Sequence, residues 1–218
     1  IIKRVIFNKM DKIPFVLAIT GASGSIYGLR LLQYLLEQEQ PVELLVSKAA
    51  LQVMDQENGL KFGEAFKVEL LEHLGLSLMA PLTVHNMANY GTSVASGSYR
   101  TMGMAVVPCS LGTLGAIASG LTENPIHRAA AVCLKEKRKL MLVVREMPFG
   151  HIQLKNMLAV SEAGGIVACA SPGFYHKPKT ISDQIDFVVG RILDQFDFDH
   201  QLFKRWCENE RPLPVFKI

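Results

Sequence analysis

Short apolar strands alternate with segments of helical periodicity, and this alternation constrains the fold more than any other feature of the sequence. The predicted strands lie at 15–20, 41–46, 104–108, 139–144 and 166–170. The predicted helices lie at 26–36, 47–54, 63–74, 111–119, from 124 onward, 151–162 and 180–196. Strands that are separated by helices form a parallel sheet covered on both faces. We therefore predict an α/β fold: a single-domain, Rossmann-like (flavodoxin-like), doubly wound parallel sheet with helices on both faces.

The 218 residues suit one such domain with a sizeable core. We place the domain at 14–206, with an N-terminal extension at 1–13, disordered or an altered leader, and a C-terminal tail at 207–218. Residues 77–103 are polar and rich in Gly and Ser, which predicts a long loop. Long ordered loops in compact domains are often functional.

Several classes of function are disfavoured by composition. The net charge is only +3, and we interpret the basic run 135–139 as a helix end rather than a nucleic-acid surface. No apolar run has the length of a membrane span. The four cysteines form no C-x-x-C pair, which favours reduced thiols and a cytoplasmic location. The histidines show no metal-ligand spacing, so we expect no metal.

The stretch AITGASGSIYG (18–28) places glycines between the first strand and the first helix. Such a turn suits a phosphate, because ligands of these sheets bind beyond the carboxyl ends of the strands, near helix N-termini. A nicotinamide site would need an acidic residue at the end of the second strand, which instead ends in Val46 and Ser47. Ser23 either caps the helix or binds the anion. A second turn with hydroxyls and glycine follows at 108–113.

An ordered series of motifs, from about 14 to 206, resembles the flavin prenyltransferases of the UbiX type. The motifs are TGASG (20–24), VSKAA (46–50), PCSLGTLGAIASG (108–120), NPIHRAAAVCLKEKRKL (124–140), REMPF (145–149), NML (156–158), SPGFYHKP (171–178) and DFVVGRILD (186–194). The resemblance implies transfer of a dimethylallyl group from dimethylallyl monophosphate to N5 and C6 of reduced FMN, without a metal. It further implies a homododecamer, and a UbiD-type decarboxylase that receives the prenylated FMN. Donor choice, monophosphate or diphosphate, stays open, as does the pathway, ubiquinone synthesis or aromatic-acid breakdown.

The resemblance also assigns site residues. The FMN-binding positions are Gly21, Ala22, Ser23, Ser47, Ser110, Leu111, Gly112, Thr113 and Arg145, with Ser47 expected to act as a helix cap as well. The positions for the prenyl phosphate are Arg128, Lys135, Tyr175, Arg191 and, in the loop 95–98, Ser96. Without the resemblance, the cations would be interpreted as a solvated helix face and the loop as a linker.

Two carboxylates complete the expected site. Alkylation at flavin C6 requires loss of a proton, for which Glu146 is the predicted acceptor, and Glu57 is predicted to assist together with Ser23. We expect burial to raise the pKa of such a carboxylate. Cys109, beside the FMN segment, is interpreted as a packing residue.

Two other functions are weighed. FMN-dependent cysteine decarboxylases of the same fold carry a histidine in the N-terminal region and a P-A-S-A-N motif; here 1–72 contains no His, and the corresponding loop is VASGSYRTMG. A non-catalytic flavin-binding regulatory subunit could lose the prenyl-phosphate residues, all of which this chain retains.

Overall fold

The computed structural model describes residues 12–206. Their strands are β1 (Phe15–Ile19), β2 (Val42–Val46), β3 (Leu82–Val84), β4 (Gly103–Cys109), β5 (Lys139–Val144) and β6 (Ile166–Cys169). Their helices are α1 (Ser25–Glu37), α2 (Lys48–Asn58), α3 (Phe66–His73), α4 (Leu111–Ala118), α5 (Pro125–Lys135), α6 (His151–Glu162) and α7 (Ile181–Gln195). The predicted tail, and all of the predicted extension except Lys12 and Ile13, lie outside the described residues.

The six strands form one parallel sheet in the order β3-β2-β1-β4-β5-β6. The chain builds outward from β1 to β3, then crosses back to place β4 on the other side of β1. The point where the order reverses, between β1 and β4, is where ligands of such sheets bind. The predicted α/β class and doubly wound topology are confirmed.

Alternate residues of the strands pack on opposite faces, as the pleat of a strand requires. In β1, Leu17 and Ile19 belong to a core shared with α1, α2 and α7, whereas Val16 and Ala18 belong to a core shared with α4 and α5. All five β1 residues are buried. A continuous apolar run is therefore what a central strand with helices on both faces needs.

Most helices begin where a polar side chain accepts a hydrogen bond from the first turn. Ser47 caps α2, and Asn124 caps α5, whose first residue is Pro125. Thr180 caps α7 and forms a capping box with Asp183. These predicted starts are confirmed.

The predicted loop 77–103 contains a strand that the sequence analysis missed. β3 has three residues, only one of which, Leu82, is buried, so its apolar signal is too short to recognise. The rest of the segment is tied to the sheet by Glu43 of β2, whose carboxylate accepts from Tyr99 Oη at 2.6 Å and contacts His85 Nε2 at 2.5 Å. The segment is thus anchored rather than a flexible linker.

Close packing of α1 on the sheet requires Gly28. A Cβ at this position would lie 2.3 Å from the Val107 carbonyl oxygen of β4, a backbone atom that cannot move aside as the end of a flexible side chain could. We expect Gly28→Ala to destabilise the FMN-free protein by about 1–3 kcal/mol through overpacking. Urea unfolding checks this, with Gly112→Ala as the matched control, because that helical glycine has nothing within 4 Å of its Cβ position. Equal midpoints for the two variants would contradict the packing argument.

Candidate active site

Two turns meet at the switch point, and Thr20 joins them. Its hydroxyl donates to the Pro108 carbonyl at 2.8 Å and accepts from the Ser110 N–H at 2.8 Å. The residue is only 1% exposed, so these bonds are shielded from water. The turn after β1 is thereby fixed against the turn after β4. Sequence analysis did not single out Thr20, because as the last residue of an apolar strand it carries no signal of its own.

Glu57, at the end of α2, supplies the cap that α1 lacks. Its carboxylate accepts from the backbone N–H of Gly24 at 2.9 and 3.0 Å, and from the N–H and hydroxyl of Ser25 at 3.1 and 2.9 Å. The N-cap residue itself, Gly24, adopts a left-handed conformation (φ 95°) and has no side chain to offer. A carboxylate at a helix N-terminus is favoured by the helix dipole.

This arrangement corrects two expectations. Ser23 does not cap α1; its hydroxyl bonds to Glu57 instead. The N–H groups of Gly24 and Ser25, expected to be ready for a phosphate, are engaged by Glu57. Any anion at this turn must therefore use other groups.

A third expectation, a raised carboxylate pKa, is wrong for Glu57. Burial acts to raise its pKa, but hydrogen bonds from Ser23, Gly24 and Ser25 outweigh it, and the pKa is lowered. Glu57 is therefore a stable carboxylate rather than a group poised to exchange a proton near neutral pH.

Arg145 and Glu146 follow β5 and border the same turn. Arg145 Nε donates to the Ser23 carbonyl at 3.0 Å, and its charge also acts on the nearby Tyr27. Glu146 is exposed and accepts from the backbone N–H of Met147 at 3.0 Å. The structure thus brings Ser23, Glu57 and Arg145 into one cluster. Glu146 is the next residue after Arg145 in the chain.

The remaining positions expected to bind FMN lie on the same sheet edge. Ser47 follows β2 and caps α2 through the Ala50 N–H at 3.1 Å. Ser110 follows β4 and caps α4, with its hydroxyl 3.0 Å from the Thr113 hydroxyl.

Two glycines at this edge differ in their surroundings, and only one of them faces open space. Gly21 passes so close to α2 that a Cβ would lie 2.4 Å from the Ala49 Cβ, whereas Gly112 in the first turn of α4 faces open space. Backbone groups and hydroxyls that border an open approach suit the phosphate and hydroxyl oxygens of a nucleotide. The residues at this edge therefore fit FMN.

Two of the predicted phosphate-binding residues lie at the opposite edge of the sheet. Lys135 is the last residue of α5, just before β5 begins at Lys139, which is the register partner of Gly103 at the start of β4. Ser96 belongs to a segment held at this edge by Arg138, whose guanidinium donates to the carbonyls of Gly97 and Tyr99 at 2.5 and 2.7 Å.

Arg128 lies two turns before Lys135 on α5 and is half-buried. Its Nε is buried and has no hydrogen-bond partner among the described residues. Buried guanidinium groups ordinarily bind an acceptor, so this nitrogen is one that a ligand or another copy of the chain could satisfy.

Tyr175 and Arg191 are associated through α7. The Tyr175 ring packs edge-on against Phe187 at 5.5 Å, and Arg191 lies one helical turn beyond Phe187. Trp206 also packs edge-on against the Tyr175 ring, with 5.3 Å between the ring centroids. Sequence analysis missed Trp206, because a lone aromatic residue near a chain end has no periodic neighbour to mark it.

Cys109 is buried and lies beside the switch point, and burial raises the pKa of its thiol to about 12. It therefore stays a neutral thiol that fills space, as expected, and not a nucleophile. Between residues 12 and 206 no group of three or more His, Cys, Asp or Glu could hold a metal ion. In the same part of the chain, no helix combines the length and apolarity that crossing a membrane requires.

The fold and the cluster at its switch point define a class: the chain matches the protein family described as Flavoprotein over residues 7–193. It is 46% identical over 201 residues to the flavin prenyltransferase UbiX of Alkalihalophilus pseudofirmus, which spans 92% of this chain and 99% of the relative. The chain belongs to the flavin prenyltransferase UbiX family.

Solved structures agree with this membership. A crystal structure of AnUbiX (PadA1) in complex with FMN and dimethylallyl pyrophosphate superposes with a TM-score of 0.81, at 40% identity, covering 91% of this chain and 100% of that one. A dodecameric FMN-dependent UbiX-like decarboxylase from Escherichia coli O157:H7 gives a TM-score of 0.79, at 38% identity, covering 89% of this chain and 99% of that one. These relatives do not favour the two alternative functions, an FMN-dependent cysteine decarboxylase and a non-catalytic flavin-binding subunit.

The capping role of Glu57 predicts a pH-dependent stability. Its folded-state pKa lies below the ordinary value of 4.5, so the carboxylate stabilises the fold above that pH and the contribution is lost as pH falls through the folded pKa. At pH 7 Glu57→Gln should cost on the order of 1 kcal/mol or less, because solvent screens the exposed group. Urea midpoints at pH 7 and pH 3.5 test this, with Glu162→Gln, at the exposed end of α6, as control. A gap that stays constant between the two pH values would contradict the assignment.

Proposed function

We propose that the chain transfers a dimethylallyl group from dimethylallyl monophosphate to N5 and C6 of reduced FMN. The observation that carries the proposal is the cluster of Ser23, Glu57 and Arg145 at the turn after β1, with Glu146 directly following Arg145 in the chain. A relative at 40% identity has been crystallised with FMN and dimethylallyl pyrophosphate, which supports FMN and a dimethylallyl phosphate ester as the two ligands.

In this proposal the segments that follow four neighbouring strands, β2, β1, β4 and β5, hold FMN. The binding positions are Gly21, Ala22, Ser23, Ser47, Ser110, Leu111, Gly112, Thr113 and Arg145. Thr20 fixes two of the turns relative to one another, so the site is ordered before the flavin binds. Reduced FMN supplies the nucleophilic nitrogen and carbon.

Glu146 is the proposed proton acceptor. Ring closure would join C6 to one carbon of the prenyl alkene, whose other carbon gains a proton while C6 loses one. An exposed carboxylate at the end of β5 can take the C6 proton. Glu57 acts differently: with its lowered pKa it stays ionised, holds Ser23 and Ser25, and orients the hydroxyl of Ser23. Its proposed catalytic part is therefore to position Ser23.

The prenyl phosphate is assigned to Arg128, Lys135, Tyr175, Arg191 and Ser96. Negative charge accumulates on the leaving phosphate as the allylic C–O bond breaks, and cations stabilise it. Lys135 and Ser96, however, lie at the amino edge of the sheet, away from Glu146 at the carboxyl edge. The seven residues of β4 span roughly 20 Å between those edges, farther than one small phosphate ester can bridge.

We therefore propose that each site is completed by a second copy of the chain. Closed symmetric assembly brings opposite edges of different protomers together. The relative from Escherichia coli O157:H7 is a dodecamer, and we propose the same assembly here. We also propose a cytoplasmic location, as the reduced cysteines suggest, no nucleic-acid or membrane partner, and a UbiD-type decarboxylase as the recipient of the prenylated FMN.

The mass of the released flavin tests the proposal. Protein incubated anaerobically with reduced FMN and dimethylallyl monophosphate should release a flavin heavier by one C5H8 unit. Glu146→Gln should still bind FMN, yet its single-turnover rate should fall by about 10²- to 10⁴-fold, because the proton acceptor is lost. Glu162→Gln, an exposed carboxylate outside the site, is the control.

Unmodified FMN with both the monophosphate and the diphosphate would contradict the proposal. Tight FMN binding in that case would favour a non-catalytic flavin-binding subunit. A normal rate for Glu146→Gln would remove that residue as the proton acceptor while leaving the reaction in place.

A further inference from the structure

Residues 200–206, here called the C-terminal strap, run back along α7. The Phe203 ring packs on Phe187 at 4.9 Å, and the chain continues to Trp206 beside Tyr175. The strap touches the helix backbone itself at Gly190, where a Cβ would lie 2.5 Å from Phe203 and 2.6 Å from His200. The strap is therefore seated in a groove that only glycine leaves open.

Asp194, near the end of α7, binds side chains of both the helix and the strap. Its Oδ2 accepts from Arg191 Nη1 at 2.9 Å, and its Oδ1 accepts from Arg205 Nη2 at 2.7 Å and lies 3.1 Å from His200 Nε2. The side chain is only 15% exposed. Burial acts to raise its pKa, but the bonds from Arg205 and His200 outweigh it and lower the pKa, so the carboxylate is ionised at neutral pH.

These contacts restrain two groups of the proposed phosphate site at once. Asp194 holds one edge of the Arg191 guanidinium directly. By binding His200 and Arg205 it also holds the strap, which presses Trp206 against Tyr175. Because the Asp194 carboxylate binds both Arg205 and Arg191, it does not fully neutralise either guanidinium. Arg191 therefore keeps positive charge that can attract an anion.

We propose that Asp194 is a positioning residue for the prenyl-phosphate site, through its hold on Arg191 and on the C-terminal strap. The inference rests on the proposed function. A guanidinium fixed along one edge presents its other N–H groups in a set direction, and a group that is ordered in advance loses less entropy when the phosphate binds. The effect belongs to donor binding, not to the chemical step.

The test is Asp194→Asn, which keeps the size of the side chain but removes its charge. The KM for dimethylallyl monophosphate should rise roughly tenfold, the loss of one charge-assisted hydrogen bond. The rate at saturating donor and the affinity for FMN should stay at the wild-type values. Trp206 is the one tryptophan of the chain, so time-resolved fluorescence anisotropy reads the strap directly and should show greater local motion.

Asp197→Asn is the matched control. Asp197 lies between α7 and the strap and pairs with Lys139; within residues 12–206 it contacts neither Arg191 nor Trp206. Its KM and its Trp206 anisotropy should equal those of the wild type. A change as large as that of Asp194→Asn would overturn the specific assignment.

Gly190→Ala keeps the inference testable if Asp194→Asn does not fold. The added methyl group enters the space of Phe203 and His200, while alanine favours the helix, so the strap is displaced without removal of any charge. The same gain in Trp206 motion and a higher KM are expected.

Two outcomes overturn the inference: folded Asp194→Asn with a wild-type KM, or with wild-type Trp206 anisotropy. The proposed function fails separately, when the wild-type protein itself leaves FMN unmodified. In that case the anisotropy of Asp194→Asn still shows whether the carboxylate holds the strap.

Discussion

The hydrogen bonds of Thr20 hold the two central turns of the site together. A parallel sheet brings the carboxyl ends of all its strands to one edge. The turns that follow the strands keep a fixed distance from one another only where hydrogen bonds connect them. Thr20 follows β1, and its buried hydroxyl donates to the Pro108 carbonyl and accepts from the Ser110 N–H, both at the end of β4. Through this link the backbone of Ser110 and the Gly21–Ser25 turn keep a fixed spacing, on which the flavin site depends.

The second constraint is electrostatic. The N-terminus of α1 would attract an anion, and Glu57 occupies it with a carboxylate from α2. The same carboxylate binds the Ser23 hydroxyl, and Arg145 binds the Ser23 carbonyl. Ser23 is therefore held from both sides by charged groups of opposite sign, which fixes its direction without a ligand.

The parallel arrangement also separates the phosphate-binding residues from the proton acceptor. Residues that follow strands, such as Glu146, collect at one edge, and residues that precede strands, such as Lys135 and Ser96, collect at the other. No side-chain rotation crosses a sheet. A single chain can thus carry every residue of the proposed reaction and still lack a complete site, which is the reason for proposing that a second copy completes it.

Much of the fold was predictable, because central strands such as β1 are continuous apolar runs and helix starts such as Thr180 with Asp183 carry local caps. β3 was not predictable, since three residues with one buried side chain leave no pattern.

The site was predictable only in part. Family motifs predicted candidate residues for the site, but the bonds between Glu57 and Gly24 join positions 33 apart, and no local rule gives such a contact. The wrong expectation of a raised pKa has the same origin: hydrogen-bond donors to a carboxylate become visible only in the folded chain.

Mixed oligomers test the central claim, a site shared between copies, most directly. Lys135→Ala and Glu146→Gln should each abolish prenyl transfer alone. Co-assembled in equal amounts, they should recover about a quarter of the wild-type rate, because one site in four then receives an intact Lys135 from one copy and an intact Glu146 from the other. No recovery in verified mixed oligomers would show that both residues act within one chain, and would contradict the account.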